Sequence, residues 1–258
     1  MKYLLFAGTI FLILVMAAGA WADADLVIYY SYDNFTAVVP DESGKGNDGT
    51  VVGDVTMDAG GKRGGAAKFA NAGYLDLDGA NFPASDVPTD GIAICAWLKM
   101  EDTGDNHEIF NARASDETWL THPEPRSDGQ VRWLLRSYGG GTIMEVRTGQ
   151  WPADEWMHFA GTYSSADSLG VLYLNGEKVG DAAGSGQIAG DWDMGARVGK
   201  TIDDARPFTG LMDDFCMYKR ALSQDEVRDV MAGGPPSAAP VSPEGSLAST
   251  WGRIKGIR

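Results

Sequence analysis

The sequence predicts an all-β chain, a two-sheet antiparallel sandwich with one short C-terminal helix. Two observations carry this expectation. Apolar, β-branched and aromatic residues gather in many short runs, with Gly, Asp, Asn and Pro clusters between them. A single late segment has helix signals, so strands do not alternate with helices and a doubly wound parallel sheet is not expected. With 258 residues, 44 % of them hydrophobic, the chain has material for one large core.

Taken in order, residues 1–22 read as an export signal. Lys2 is the charged start, 4–16 is the apolar run, and Ala20-Trp21-Ala22 places small residues before a cut at Asp23. The run falls short of the roughly 20 apolar residues that span a bilayer, so no membrane span is expected after cleavage. The strand runs that follow are 26–32, 66–69, 74–77, 92–98, 131–135, 142–146, 156–163, 171–174 and 208–218. Between Leu174 and Glu177, Asn175-Gly176 suits the positive φ angles of a type I′ hairpin turn. Gly139-Gly140-Gly141 opens no helix and reads as a hairpin connection, not a phosphate cradle. Ser223 with Glu226 forms a capping-box signature, followed by apolar Val227, Val230 and Met231 and by a Gly233-Gly234-Pro235-Pro236 stop. Residues 233–258 are a Pro/Ser-rich linker and a short basic tail. The 246–255 stretch reads either as a docking tag, through Trp251 and Ile254, or as a frayed end against the acidic domain.

Charge narrows the function. Lys plus Arg number 21 against 36 Asp plus Glu, a formal charge of −15. Such a surface repels phosphate backbones and anionic lipids, which argues against nucleic acid as a partner and against an electrostatic membrane anchor. Export to the periplasm or the exterior would permit a disulfide. The two cysteines, Cys95 and Cys216, both sit in strand-like runs and could form one bond or remain two buried thiols.

The order of the pieces has a familiar pattern. Tyr29-Tyr30-Ser31-Tyr32-Asp33 precedes the Gly-rich 41–49 segment, then Lys68-Phe69, Tyr74-Leu75-Asp76-Leu77 and the 92–97 run ending in Trp97. Trp156-Met157-His158-Phe159-Ala160-Gly161, Leu172-Tyr173-Leu174-Asn175-Gly176, the 207–215 run with Asp213-Asp214, and Tyr218 to Ser223 complete the set. This order resembles a LamG-like jelly-roll domain of the concanavalin A-like lectin/glucanase superfamily, over roughly residues 25–232. The resemblance implies a jelly-roll sandwich, binding or adhesion more often than catalysis, and a bound calcium. Calcium takes about 6 to 8 oxygen ligands. The resemblance carries that role onto Asp33, Asn47 and Asp214. The alternative is that Asp41 and Ser43 form Asx-type turns and Asp213 pairs with an Arg. The loop is no EF-hand, since Lys45 stands at a ligand position.

Catalytic patterns are weak. The Glu-x-Asp-x-x-Glu run of the β-glucanase relatives does not occur, and Glu101-Asp102, Asp116-Glu117 and Asp154-Glu155 read as solvated. The three histidines, His107, His122 and His158, match no triad or zinc spacing, and His158 is expected to be structural. A non-enzyme is therefore expected, with a glycan or extracellular polymer as ligand, or alternatively a protein partner without sugar affinity; a third reading is a divergent glycoside hydrolase that uses distant carboxylates. Sugar binding would use aromatic faces. Trp119, Trp151 and Trp192 are expected to be exposed for that purpose, while Trp97, Trp133 and Trp156 are assigned to the core.

Overall fold

The computed structural model describes residues 23–101 and 104–235. The expected signal at 1–22 and the tail from 236 onward lie outside the described residues. The fold is a two-layer β-sandwich with one helix, as the sequence predicts.

The back layer contains β1 (Leu26–Tyr30), β5 (Gly91–Met100), β10 (Met157–Ser164), β11 (Leu169–Leu174), β12 (Glu177–Ala183) and β14 (Gly210–Tyr218). Their order is β12-β11-β10-β5-β14-β1, all antiparallel. The front layer contains β2 (Val38–Val39), β3 (Gly49–Asp58), β4 (Ala66–Asp76), β6 (Phe110–Arg113) and β13 (Gly195–Val198). It is extended by the three-stranded sheet β7 (Thr121–Pro125), β8 (Val131–Arg136) and β9 (Thr142–Thr148). The layers meet at the start of β14, where Gly210 to Met212 pair with both β4 and β5. A register shift between Asp213 and Cys216, with Asp214 at φ 49°, then turns the strand fully into the back layer.

Strand β5 shows why the sequence folds this way. Its residues alternate between two buried faces. Ile92, Ile94, Ala96 and Leu98 enter the core between the layers. Ala93 and Cys95 instead enter a second apolar cluster under the helix α1 (Gln224–Gly233), with Tyr218, Leu222, Val227 and Val230. Large and small residues interlock across the main core. A Cβ on Gly161 of β10 would lie 2.6 Å from the Trp133 ring of β8, and one on Gly170 of β11 would lie 2.4 Å from Met144 of β9. Close packing of this kind leaves no room for an added methyl without displacement.

The local signals behave as read. Asn175 and Gly176 take φ 50° and 76° at the β11–β12 turn. Ser223 and Glu226 close a capping box on α1. Trp97 and Trp133 are buried, whereas Trp156 is only half-buried and does not join the core.

The sequence left one bond or two buried thiols open for the cysteines. Cys95 and Cys216 stand opposite each other on β5 and β14, but both are buried free thiols. Burial and the neighbouring Cys95 push the Cys216 thiol well above its ordinary value. Here the two cysteines serve as small apolar side chains beneath α1.

Candidate functional site

The front layer turns one face to the core and one outward. On β8, Val131, Trp133 and Leu135 point into the core, so Arg132, Leu134 and Arg136 share the other face. On β7, His122 lies opposite Leu134 and Glu124 opposite Arg132, which puts both on that outward face. On β6, Phe110 and Ala112 enter the core and Asn111 and Arg113 face outward.

Strand β7 reads poorly in the sequence because two of its five residues are prolines. It is nevertheless paired on both sides. Pro123 and Pro125 need no N–H there, since their carbonyls accept from Ile109 N at 3.0 Å and His107 N at 2.9 Å. These bonds join β7 to the segment entering β6 and bring Glu108 beside His122.

The segment 199–209 folds over this face. Glu108 N donates to Arg206 O at 3.0 Å, and Ile202 N donates to the Asn111 side-chain oxygen at 3.2 Å. Arg206 thereby reaches a buried carboxylate. Glu124 Oε1 binds Arg126 and, at 2.6 Å, Arg132, while Arg206 Nε stands 3.7 Å from Oε2. Beside it, His122 Nδ1 is 3.2 Å from Glu108 Oε2, both groups being fully buried. Burial, then the charge of Glu124, holds Glu108 well above the usual carboxylate range. Burial and the surrounding arginines lower His122 to about 2. Burial thus disfavours the charged form of both groups.

Above this cluster lies an open cleft of about 400 Å³, walled by Arg113, Thr118, Trp119, Arg136 and the Gly139-Gly140 turn. The guanidinium carbons of Arg113 and Arg206 each lie 5.6 Å from the Trp119 ring centroid, and the His122 ring lies 5.5 Å away. Two carboxylates pin the rim. Asp116 accepts from Gly139 N at 2.5 Å and Thr118 N at 3.0 Å, bonds that hold it below its ordinary pKa. Asp191 accepts from Ser115 N at 2.6 Å and also binds the Tyr138 hydroxyl. Tyr138, 51 % exposed, stands at the edge of the same turn.

Of the three tryptophans expected to face solvent, only Trp119 reaches the cleft. Trp192 is 2 % exposed, packed 4.3 Å from Phe82 and 5.4 Å from Phe110, and Trp151 is 6 % exposed in the main core. Both are corrected to core residues. Neighbouring turn residues suggest exposure, but Phe82 and Phe110 pack on the Trp192 ring, and the Trp151 side chain joins the main core.

The residues expected at calcium each hold protein partners. Asp214 accepts from Tyr29 Oη at 2.7 Å and forms an ion pair with Arg63 at 2.6 Å. Arg63 also donates to Met231 O at 3.0 Å, capping the end of α1. Asp33 accepts from Gly65 N, and the Asn47 amide donates to Val27 O and Asp86. The Gly-rich loop is ordered by Asp41, whose carboxylate accepts from the backbone of Tyr29, Ser43 and Asn47. These partners do not fit the expected calcium set, since a guanidinium stands on Asp214. Among the described residues, Glu108, His122 and Glu124 bring three ligand atoms within 4.8 Å of one another. The arginines around them oppose a divalent cation.

The model of a family described as the concanavalin A-like lectin/glucanases superfamily matches residues 72–228. The chain belongs to this superfamily. No curated protein matches the sequence. Among solved structures, the binding domain of Paraclostridial Mosquitocidal Protein 1 matches with a TM-score of 0.61 and 16 % identity, over 80 % of this chain and 52 % of that one. The receptor-binding domain of botulinum neurotoxin C/D mosaic serotype gives 0.59 and 16 %, over 81 % and 51 %. This superfamily member thus spans about half the length of those toxin domains. Domain 4 of AbnA, a GH43 extracellular arabinanase from Geobacillus stearothermophilus solved with arabinotriose, gives 0.58 and 20 %, over 80 % and 98 %. At these identities the likeness is one of fold.

Proposed function

We propose that this chain is an exported, non-catalytic binding module for glycans or other extracellular polymers, and that the Trp119 cleft holds the ligand. The observation that carries the reading is the cleft itself, an aromatic wall beside polar groups held on rigid strands. A pyranose presents C–H groups that pack on indole, while guanidinium and backbone groups orient its hydroxyls. The structures of similar fold include a domain solved with arabinotriose, which supports a saccharide as the class of ligand. The buried carboxylates Glu108 and Glu124 support no hydrolase reading, since both are sealed beneath arginine side chains.

The test is a glycan and polysaccharide array probed with the full-length chain recovered after export, with N-terminal sequencing of the product. Binding that Trp119→Ala lowers at least about tenfold is expected. Folded protein that binds no glycan would overturn the reading in favour of a protein partner. Calcium remains a proposal tested in the same array. Loss of binding in chelator, restored by calcium, would support it, and binding indifferent to chelator would remove it. A product retaining residues 1–22 would remove the proposal that this segment is a cleaved signal, and recovery of the protein only inside the cell would remove the export proposal.

A further inference from the structure

Resting on the glycan-binding reading, we infer that the Trp119 cleft selects an acidic saccharide, one whose ring carries a carboxylate. The chain holds 12 arginines, and five of them, Arg113, Arg126, Arg132, Arg136 and Arg206, converge on this one site of a protein with formal charge −15. Arg126, Arg132 and Arg206 share the single carboxylate of Glu124. Glu108, the second buried acid, faces His122 at 3.2 Å and forms no ion pair with an arginine among the described residues.

The two arginines that line the cleft have the least satisfaction. Arg113 Nε donates to the Glu117 backbone carbonyl at 2.8 Å, and the guanidinium forms no ion pair among the described residues. Arg136 likewise has no ion-pair partner among them, and its buried Nε meets no acceptor. The Nε atoms of Arg126 and Arg132 are also buried without an acceptor. Arg113 and Arg136 are the two guanidinium groups in the cleft wall, and neither is committed to a carboxylate among the described residues, so both are placed to meet an anionic acceptor on the ligand. Asp116 does not fill the role, because its carboxylate is committed to Gly139 N and Thr118 N.

The geometry favours a carboxylate over a bare charge. Guanidinium groups present paired N–H donors in a plane, which match the two oxygens of a carboxylate. Trp119, flanked by Arg113 and Arg206, supplies the apolar wall for the ring that bears it. A neutral sugar would leave Arg113 and Arg136 without an ionic partner.

Titration calorimetry of the full chain with an oligogalacturonate, a sulfated oligosaccharide and a neutral arabino-oligosaccharide tests the assignment. The oligogalacturonate is expected to bind at least about tenfold tighter than the neutral sugar, with affinity falling as salt rises. Arg136→Gln is expected to weaken oligogalacturonate binding about tenfold or more, and Arg136→Lys to restore only part of it. Unchanged melting of both variants shows that the fold is intact. Equal affinity for the neutral sugar, or wild-type affinity of Arg136→Gln for oligogalacturonate, would overturn the acidic class and leave the glycan-binding reading standing. Tighter binding of the sulfated ligand would overturn the carboxylate assignment. No binding of any of the three by folded protein would overturn both this inference and the cleft as a glycan site.

Discussion

Asp213 is fully buried, with one carboxylate oxygen accepting from Arg63 N at 2.8 Å and the other facing no donor. Burial, reinforced by the neighbouring charge of Asp214, raises its pKa to about 7. An unfolded aspartate titrates near 4. Between those values the folded chain holds a proton that the unfolded chain has released, so this group's contribution to stability falls as pH rises from about 4 through 7. Asp213→Asn keeps an acceptor for Arg63 and removes the ionisation. The variant should match the wild type near pH 4 and exceed it at pH 8 by up to about 4 kcal/mol, measured by urea denaturation across that range. A constant difference at all pH values would exclude the titration. The sequence placed an Asp pair here but could not reveal its environment. Asp214 beside it is paired with Arg63, which lies far away in the chain. The tryptophans teach the same lesson, since Trp119 and Trp192 both follow acidic, loop-like stretches and only one reaches solvent.

At the scale of elements, local chemistry was readable wherever it closes within a few residues. The α1 cap is one case. Ser223 accepts from Glu226 N, and the Glu226 carboxylate accepts from Ser223 N at 2.8 Å. Ser223→Ala should cost about 1 kcal/mol in denaturant titration, because it removes one acceptor and leaves an N–H of the first turn unpaired. A loss near zero would mean that packing of Val227 and Val230 alone fixes the helix start. The Asn175-Gly176 turn is a second readable case. Strand β7 is the counter-example. Its sequence, Thr121 to Pro125, carries two prolines, a signal against a central strand, yet all five residues are buried. It stays paired because only proline carbonyls are called on, a condition set by β6 and not by β7 itself. His122 and Glu124 ride on this strand, so the heart of the site was hidden with it.

The whole molecule is two cores on either side of one sheet. The back layer is apolar on both faces, toward the front layer and toward α1. Cys95 and Cys216 sit in the second of these, fully buried. Their reaction with a thiol reagent should therefore be slow in the native state and yield two equivalents after denaturation. Fewer than two equivalents in denaturant without reductant would show a disulfide in the isolated protein. Fast labelling of the native chain would show that α1 opens independently of the sandwich.

The sequence by itself determined the fold class, the helix with its cap, the β11–β12 turn and most of the strand runs, because period, turn chemistry and capping act between near neighbours. It also carried the charge and the order of segments by which the superfamily is matched. The tertiary structure alone decided which aromatic ring faces solvent, which acid meets an arginine and which cysteine meets its partner. Those outcomes depend on how two layers stack and on the segment that folds across them. Glu124 meets Arg206 only because 199–209 crosses the outward face of β6 and β7, and no pattern within either segment encodes that meeting.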